Sequence, residues 1–361
     1  MAIYDIHGNE IGSDSLTPEQ IQNAFVSAVA DGTISFPAQI GGTRQCNATQ
    51  ALQTNCTTVY NAMLNYYKTC PNACIPFFVS TDQHGAGLQL PILINNLDQD
   101  GMEIANINLG DTVTDYYETG VLEQTVSAVK YLKNYMGVVG NHDYKEGDDV
   151  SYYIINNCFK TTYPVFKKIA DPHDCYTVYD GSHKVKYICV DHYDISNGNP
   201  GWGYNTAVAD WLINELTVND GYDIVLLIHW ASCLTMMTRS MSTESAVAGS
   251  TPAENATNSQ KVALWNMFLA RKNKTSGTFT DAENVTHTYD FTNCESELLC
   301  EISGHEHLEA WSNKDGLLNY ICDGALNTAY TGGIIDRYNN KMVIWHFNNS
   351  TISDVLEIPL S

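Results

Sequence analysis

Six apolar runs that each break off into polar, coordinating residues constrain this chain more than any other feature. "IPFFVSTDQH", "IANINLGD", "MGVVGNHD", "KYICVDHY", "DIVLLIHW" and "LCEISGHEH" each read as a β-strand ending in Asp, Asn or His. The runs are continuous rather than alternating, which predicts strands covered on both faces, as in α/β folds. "GVLEQTVSAVKYLKNY" and "NTAVADWLINELTVND" have helical spacing and lie between them. "TTVYNAMLNYYKTC" predicts an earlier helix ending before Pro71, and "MVIWHF" a further strand. At 361 residues the chain buries a sizeable core without needing disulfides or a metal merely to fold.

Side chains from several strands converge at the carboxyl ends of an α/β sheet, which is where ligands bind. A lone His at a strand end is ordinarily a satisfied structural residue, and Gly, Asn and Asp are ordinary turn residues. Five successive strand ends fit that reading poorly. Asp82 and His84 follow "FFVST", Asp111 follows "INLG", and Asn141 and His142 follow "VVG". His229 follows "VLLI", and His305 and His307 follow "CEISG". Imidazole, carboxylate and amide oxygen suit borderline or hard divalent ions such as Mn, Fe, Zn, Ni or Co, and thiolate takes no part. Seven donors exceed the needs of one ion but suffice for two sharing a carboxylate. That arrangement clamps an in-line displacement at phosphorus, with the ions about 3.5–4 Å apart.

In this order, D-x-H, G-D, G-N-H-D, H and G-H-x-H resemble the calcineurin-like metallophosphoesterases. They stand here as Asp82-Gln83-His84, Gly110-Asp111, Gly140-Asn141-His142-Asp143, His229 and Gly304-His305-Glu306-His307. The resemblance spans about residues 75–325, leaving out the first 45 residues and the 233–290 region. It implies an α/β fold, a four-layer α/β/β/α sandwich of two mixed sheets with a small N-terminal appendage. It implies two divalent metal ions, one held by Asp82, His84 and His307, the other by Asn141, His229 and His305, with Asp111 bridging. It further implies hydrolysis of a small phosphate ester, monoester or diester, by a metal-bridging hydroxide. His142 is then no ligand but the general acid for the leaving group, and Gly140 lets the backbone turn sharply.

A carboxylate near His142 would keep it cationic. In the phosphoprotein-phosphatase branch that partner lies three residues after the bridging Asp, which here is Thr114. The role therefore falls to Asp115, with Asp143 as its rival; Asp143 has the alternative task of capping the turn. Where those phosphatases carry an arginine, "GDTVTDYYETG" has Tyr116 and Tyr117. With only four arginines in the chain, a bidentate arginine grip on phosphate is not expected. Asp191 and His192 end another strand and could line the pocket, His192 as a rim or structural residue. His7, His173, His183, His287 and His346 lie off the pattern and read as ordinary surface or core residues.

A formal charge of −23 repels a phosphate backbone, which argues against general nucleic-acid binding. No apolar run approaches the roughly 18 residues of a membrane helix, and "MAIYDIHGNE" has no readable signal peptide. The expectation is a soluble protein, cytoplasmic by default, with virion or surface association as the alternative. The eleven cysteines are odd in number and lack zinc-finger spacing. Residues 1–45, a strand–turn–strand followed by a helix capped at Thr17, read as an attachment or homo-oligomerisation unit. Residues 46–361 read as the metallophosphoesterase domain, with 231–290 as an insertion and the Ser/Thr/Ala-rich stretch 240–260 as a loop. A second reading, of another class, is a surface or viral structural protein that retains the scaffold; the complete donor set weighs against it.

Overall fold

The computed structural model describes residues 46–84, 89–99, 101–113, 132–143, 175–190, 204–233, 235–239, 261–313, 315–324 and 329–361, with shorter elements between them. The chain divides into two compact units, Met1–Ile40 and Gly41–Ser361. In the first, Ile3–Tyr4 pairs antiparallel with Glu10–Gly12, the hairpin expected of "IYDIHGNEIG". The helix expected after it lies outside the described residues, as do Asp115, Asp191, His192, His7 and His173.

In chain order, the strands building the sheets of the larger unit begin with β1 (Cys74–Ser80), β2 (Ala105–Asn108), β3 (Tyr135–Gly137) and β4 (Phe166–Lys168). There follow β5 (Tyr176–Asp180), β6 (Val185–Val190), β7 (Asp223–Trp230), β8 (Leu298–Gly304) and β9 (Ala310–Ser312). The last are β10 (Leu318–Ile321), β11 (Ala329–Asp336), β12 (Lys341–Asn348) and β13 (Leu356–Pro359). One sheet has the order β13-β12-β11-β1-β2-β3, the other β9-β10-β8-β7-β6-β5-β4. Both are mixed: β1, β2 and β3 run parallel, as do β6, β7, β8 and β10, and antiparallel strands flank each set.

The apolar runs look continuous because successive residues serve two different cores. From β1, Ile75, Phe77 and Val79 enter the core between the sheets, where Val185, Tyr187 and Cys189 of β6 and Val225 and Leu227 of β7 meet them. Phe78 joins the opposite core, under α1 (Gln50–Tyr67) and α2 (Gln89–Leu97). From β7, Ile224, Leu226 and Ile228 join a third core beneath α3 (Thr206–Thr217) and α4 (Pro252–Lys272). The layers are helix, sheet, sheet, helix, the α/β/β/α architecture expected. At roughly 1.5–3 kcal/mol per fully buried large side chain, these cores contribute most of the favourable burial free energy. Helix starts follow local chemistry: the Thr49 hydroxyl accepts the Leu52 N–H at 3.2 Å and Asn205 Oδ1 accepts that of Val208 at 2.9 Å.

The loop expected over 240–260 gives way to helix at Pro252. Proline fits the first helical turn, where no N–H is needed. Residues 252–260 are small or polar in sequence, which hid the helix, whose Leu264, Trp265, Met267 and Phe268 pack in the third core. The hairpin Ser276–Thr280 with Thr286–Asp290 adds Phe279 and Tyr289 to the same core. Much of the region read as an insertion is therefore a packed layer over the second sheet. No disulfide joins the ten described cysteines to one another, and no described helix is long and apolar enough to cross a membrane.

Candidate metal centre

Five strand ends deliver side chains to one place. Asp82 and His84 leave β1, Asp111 leaves β2, Asn141 and His142 follow β3, His229 ends β7, and His305 and His307 follow β8. Their donor atoms form three interlocking groups, each within 4.8 Å: Asp82 with His84 and His307, His84 with Asp111 and His142, and Asp111 with His229 and His305. Backbone bonds lock the loops together, from Asp82 N–H to Gly110 C=O and from His84 N–H to Asp111 C=O, both 2.9 Å. All seven predicted donors converge.

Much of this loop backbone is left-handed. Asp82, His84, Asp111, His305 and His307 have φ of 50°, 43°, 50°, 71° and 50°. Asp and His tolerate that region better than most residues, yet each such residue costs on the order of 1 kcal/mol. Five strained residues among seven donors mark a site shaped for something other than stability. Gly110 has φ +96°, which glycine alone adopts freely. Gly140 is different: it is not left-handed, and the sharp turn expected there is not its reason. A Cβ on Gly140 would lie 2.2 Å from Asp111 Oδ1, so glycine is required by the close approach of the carboxylate.

The oxygens of Asp82 divide their work. Oδ2 accepts from the Thr81 hydroxyl at 2.7 Å and from His305 N–H at 3.0 Å. Oδ1 is buried with no hydrogen-bond partner, and His307 Nε2 is 3.6 Å away. An orphaned carboxylate oxygen in a buried pocket is costly unless a cation completes it. Asp111 lies between the triads: Oδ1 accepts the His142 N–H at 2.8 Å, while Oδ2 is 3.5 Å from His229 Nε2 and 3.9 Å from His84 Nε2. His229 donates Nδ1–H to the Leu109 carbonyl at 2.6 Å, turning Nε2 towards the cluster. There Asn141 Oδ1 is 3.1 Å from both His229 Nε2 and His305 Nδ1, and the two nitrogens are 3.2 Å apart. Three acceptor-capable atoms crowded into one corner, beside two buried carboxylates, fit divalent ions well.

The electrostatics agree. Burial opposes charge on His229, but Asp111 outweighs it and raises the imidazole to about 9. Burial also opposes ionisation of Asp111, and the charge and hydrogen bond of His229 hold its carboxyl well below the usual range. Burial, then the His229 charge, push His305 down to about 3, while burial raises Asp82 and lowers His84. A bound cation would have to displace the His229 proton, so its binding is pH-dependent.

His142 is half-buried, its ring centroid 4.7 Å from that of His84 in an edge-on arrangement. Asp143 is fully buried and accepts the Gly140 N–H at 2.9 Å and the Val113 N–H at 3.0 Å. These bonds give it the turn-capping task of its two expected roles. Burial, followed by the Asp111 charge, raises its carboxyl to about 7. Arginine is committed elsewhere among the described residues: Arg239 pairs with Glu309, Arg337 with Asp223, and Arg271 is buried on the Leu216 and Ser296 carbonyls.

Three neighbours of the cluster carry no motif of their own. Trp230, directly after His229, lies 4.6 Å from the His305 ring at a tilt of 38°. Lys261 Nζ is 3.7 Å above the Trp230 ring. Glu306, between two donors, has its carboxyl raised by burial, partly offset by the charge of Lys261 and by the Trp230 indole. Trp230 could have been suspected from its place beside a donor, whereas Lys261 sat in a stretch without periodic signal.

No protein-family model and no curated protein sequence matches the chain. Solved structures do. GAP50, the anchor in the inner membrane complex of Plasmodium, is 12% identical with a TM-score of 0.48, over 80% of this chain and 90% of that one. A conserved predicted phosphoesterase from Streptococcus pneumoniae is 12% identical with a TM-score of 0.33, over 79% and 98%. Phosphopantetheinyl hydrolase from Mycobacterium tuberculosis is 14% identical with a TM-score of 0.35, over 70% and 91%. Two mixed sheets lie between helices, and the D-x-H, G-D, G-N-H-D, H and G-H-x-H residues gather at their strand ends, the arrangement implied by the resemblance to calcineurin-like metallophosphoesterases.

Proposed function

We propose that the chain hydrolyses small phosphate esters at a dinuclear metal centre. The observation that carries this reading is the convergence of three interlocking donor groups from five strand ends, with Asp111 common to two of them. Asp82, His84 and His307 would hold one divalent ion, Asn141, His229 and His305 the other, and Asp111 would bridge them. When bound, the ions would supply an acidified water and positive charge for the phosphate oxygens. That charge matters in a protein of net charge −23 whose described arginines are engaged elsewhere.

His142 is read as a proton donor rather than a ligand, although it also lies in one of the three donor groups. Its backbone N–H is fixed on Asp111 Oδ1 and its half-buried ring edges onto His84. A substrate oxygen reaching the donor cluster would find this imidazole beside it. Asp115 remains the proposed carboxylate partner of His142. Asp143 holds the loop, and so the angle at which Asn141 and His142 enter.

The test is hydrolysis of chromogenic monoester and diester substrates by protein loaded with Mn²⁺ or Co²⁺, before and after EDTA. Turnover that EDTA abolishes and metal restores is expected. His142→Ala should keep both ions and slow turnover of substrates with poor leaving groups by roughly 10²–10⁴-fold. Loss of the metals in that variant would make His142 a ligand and overturn the division of labour with Asn141.

A further inference from the structure

Lys261 is only 7% exposed, an unusual place for an ammonium group in a chain with 18 basic residues. It belongs to α4, which lies outside the strand-end motifs, yet its Nζ is 3.7 Å above the Trp230 ring. Another neighbour of that indole is the His305 ring, 4.6 Å away. The charge of Lys261 also reaches the carboxylates of Glu301, in β8, and Glu306, between His305 and His307. A buried ammonium over an indole is a cation–π contact at the strong, desolvated end of the range. Lys261 and the tilted His305 ring thus share the Trp230 indole, and that indole limits how the imidazole can turn as it presents Nδ1.

We infer that Lys261 is a positioning residue for the second metal site, acting through Trp230 to hold His305, so that docking of α4 sets how well the second ion binds. The inference rests on the dinuclear reading above. It goes further by making an element absent from the motif set part of the metal site's support. Residues that orient metal ligands are commonly worth about 10- to 100-fold in affinity.

The test is titration of the metal-free full chain with Co²⁺, followed by visible absorption, for the unaltered protein and for Lys261→Met and Lys261→Arg. Methionine keeps the length and apolar stem without the charge, while arginine also stacks on an indole. The unaltered chain should take up two equivalents. Lys261→Met should take up the first normally and the second about 10-fold more weakly, with a changed second-site spectrum, and Lys261→Arg should restore both. Thermal melting of the metal-free proteins separates positioning from folding: Lys261→Met should melt as a single cooperative transition like the unaltered chain. Two normal equivalents in Lys261→Met would overturn the inference, as would equal weakening of both sites together with collapse of the metal-free fold. Fewer than two equivalents in the unaltered chain would instead sink the dinuclear reading, and the inference with it.

Discussion

Asp143 shows how much of the site depends on a side chain that need not touch a substrate. Its two oxygens take the N–H groups of Gly140 and Val113, joining the loop after β3 to the loop after β2. Asparagine there would turn an amide NH₂ towards one of these donors and leave a buried pair unsatisfied, at a cost of about 1–3 kcal/mol. Asp143→Asn is therefore expected to lower the melting temperature and weaken metal binding together; a variant unaltered in both would remove Asp143 from this role. The residues "GNHD" announced a site because an amide, an imidazole and a carboxylate follow a glycine at the end of an apolar run. The reason for the glycine was not legible, since the Asp111 carboxylate that excludes a Cβ lies 29 residues earlier in the sequence.

At the scale of elements, strands were easier to read than the layer covering them. Strands β1, β6 and β7 each feed two apolar cores, a demand that leaves a plain trace in their continuous apolar runs. Helix α4 left little trace, because its first half is polar in sequence, while Leu264, Trp265, Met267 and Phe268 in its second half pack. The hairpin after it is tied down by a histidine that the sequence offered no reason to single out. His287 contacts Asp210 of α3 through Nδ1 and Asp281 through Nε2, each at 2.8 Å. Burial works against its charge, but the two carboxylates outweigh burial and raise its pKa, while the same bond keeps Asp281 below its ordinary value. A group raised on folding stabilises the fold fully below its unfolded pKa, about 6.5, and loses that contribution as pH rises through the folded value. His287→Gln should thus destabilise the protein by about 1 kcal/mol, or about 2 °C, near pH 5.5 and by much less at pH 9. Melting curves at the two pH values check the sign; a larger loss at pH 9 would contradict it.

Across the whole molecule, an acidic surface and a cation-seeking centre belong to one design. With 41 acidic against 18 basic residues, positive charge for a phosphate ester must be local, and the donor cluster is where it would be supplied. We propose a division of labour in which residues 1–45 serve attachment or self-association and the remainder serves chemistry. Removing residues 1–45 is expected to leave hydrolysis within about two-fold while changing the oligomeric state seen by light scattering. A loss of turnover would assign that segment to the catalytic unit. The central claim, that seven side chains from five strand ends hold two cations, is tested most directly by anomalous diffraction from crystals grown with Mn²⁺. Two peaks about 3.5–4 Å apart on either side of Asp111 are expected; no peak there, or peaks away from Asp82, His84, Asn141, His229, His305 and His307, would contradict it.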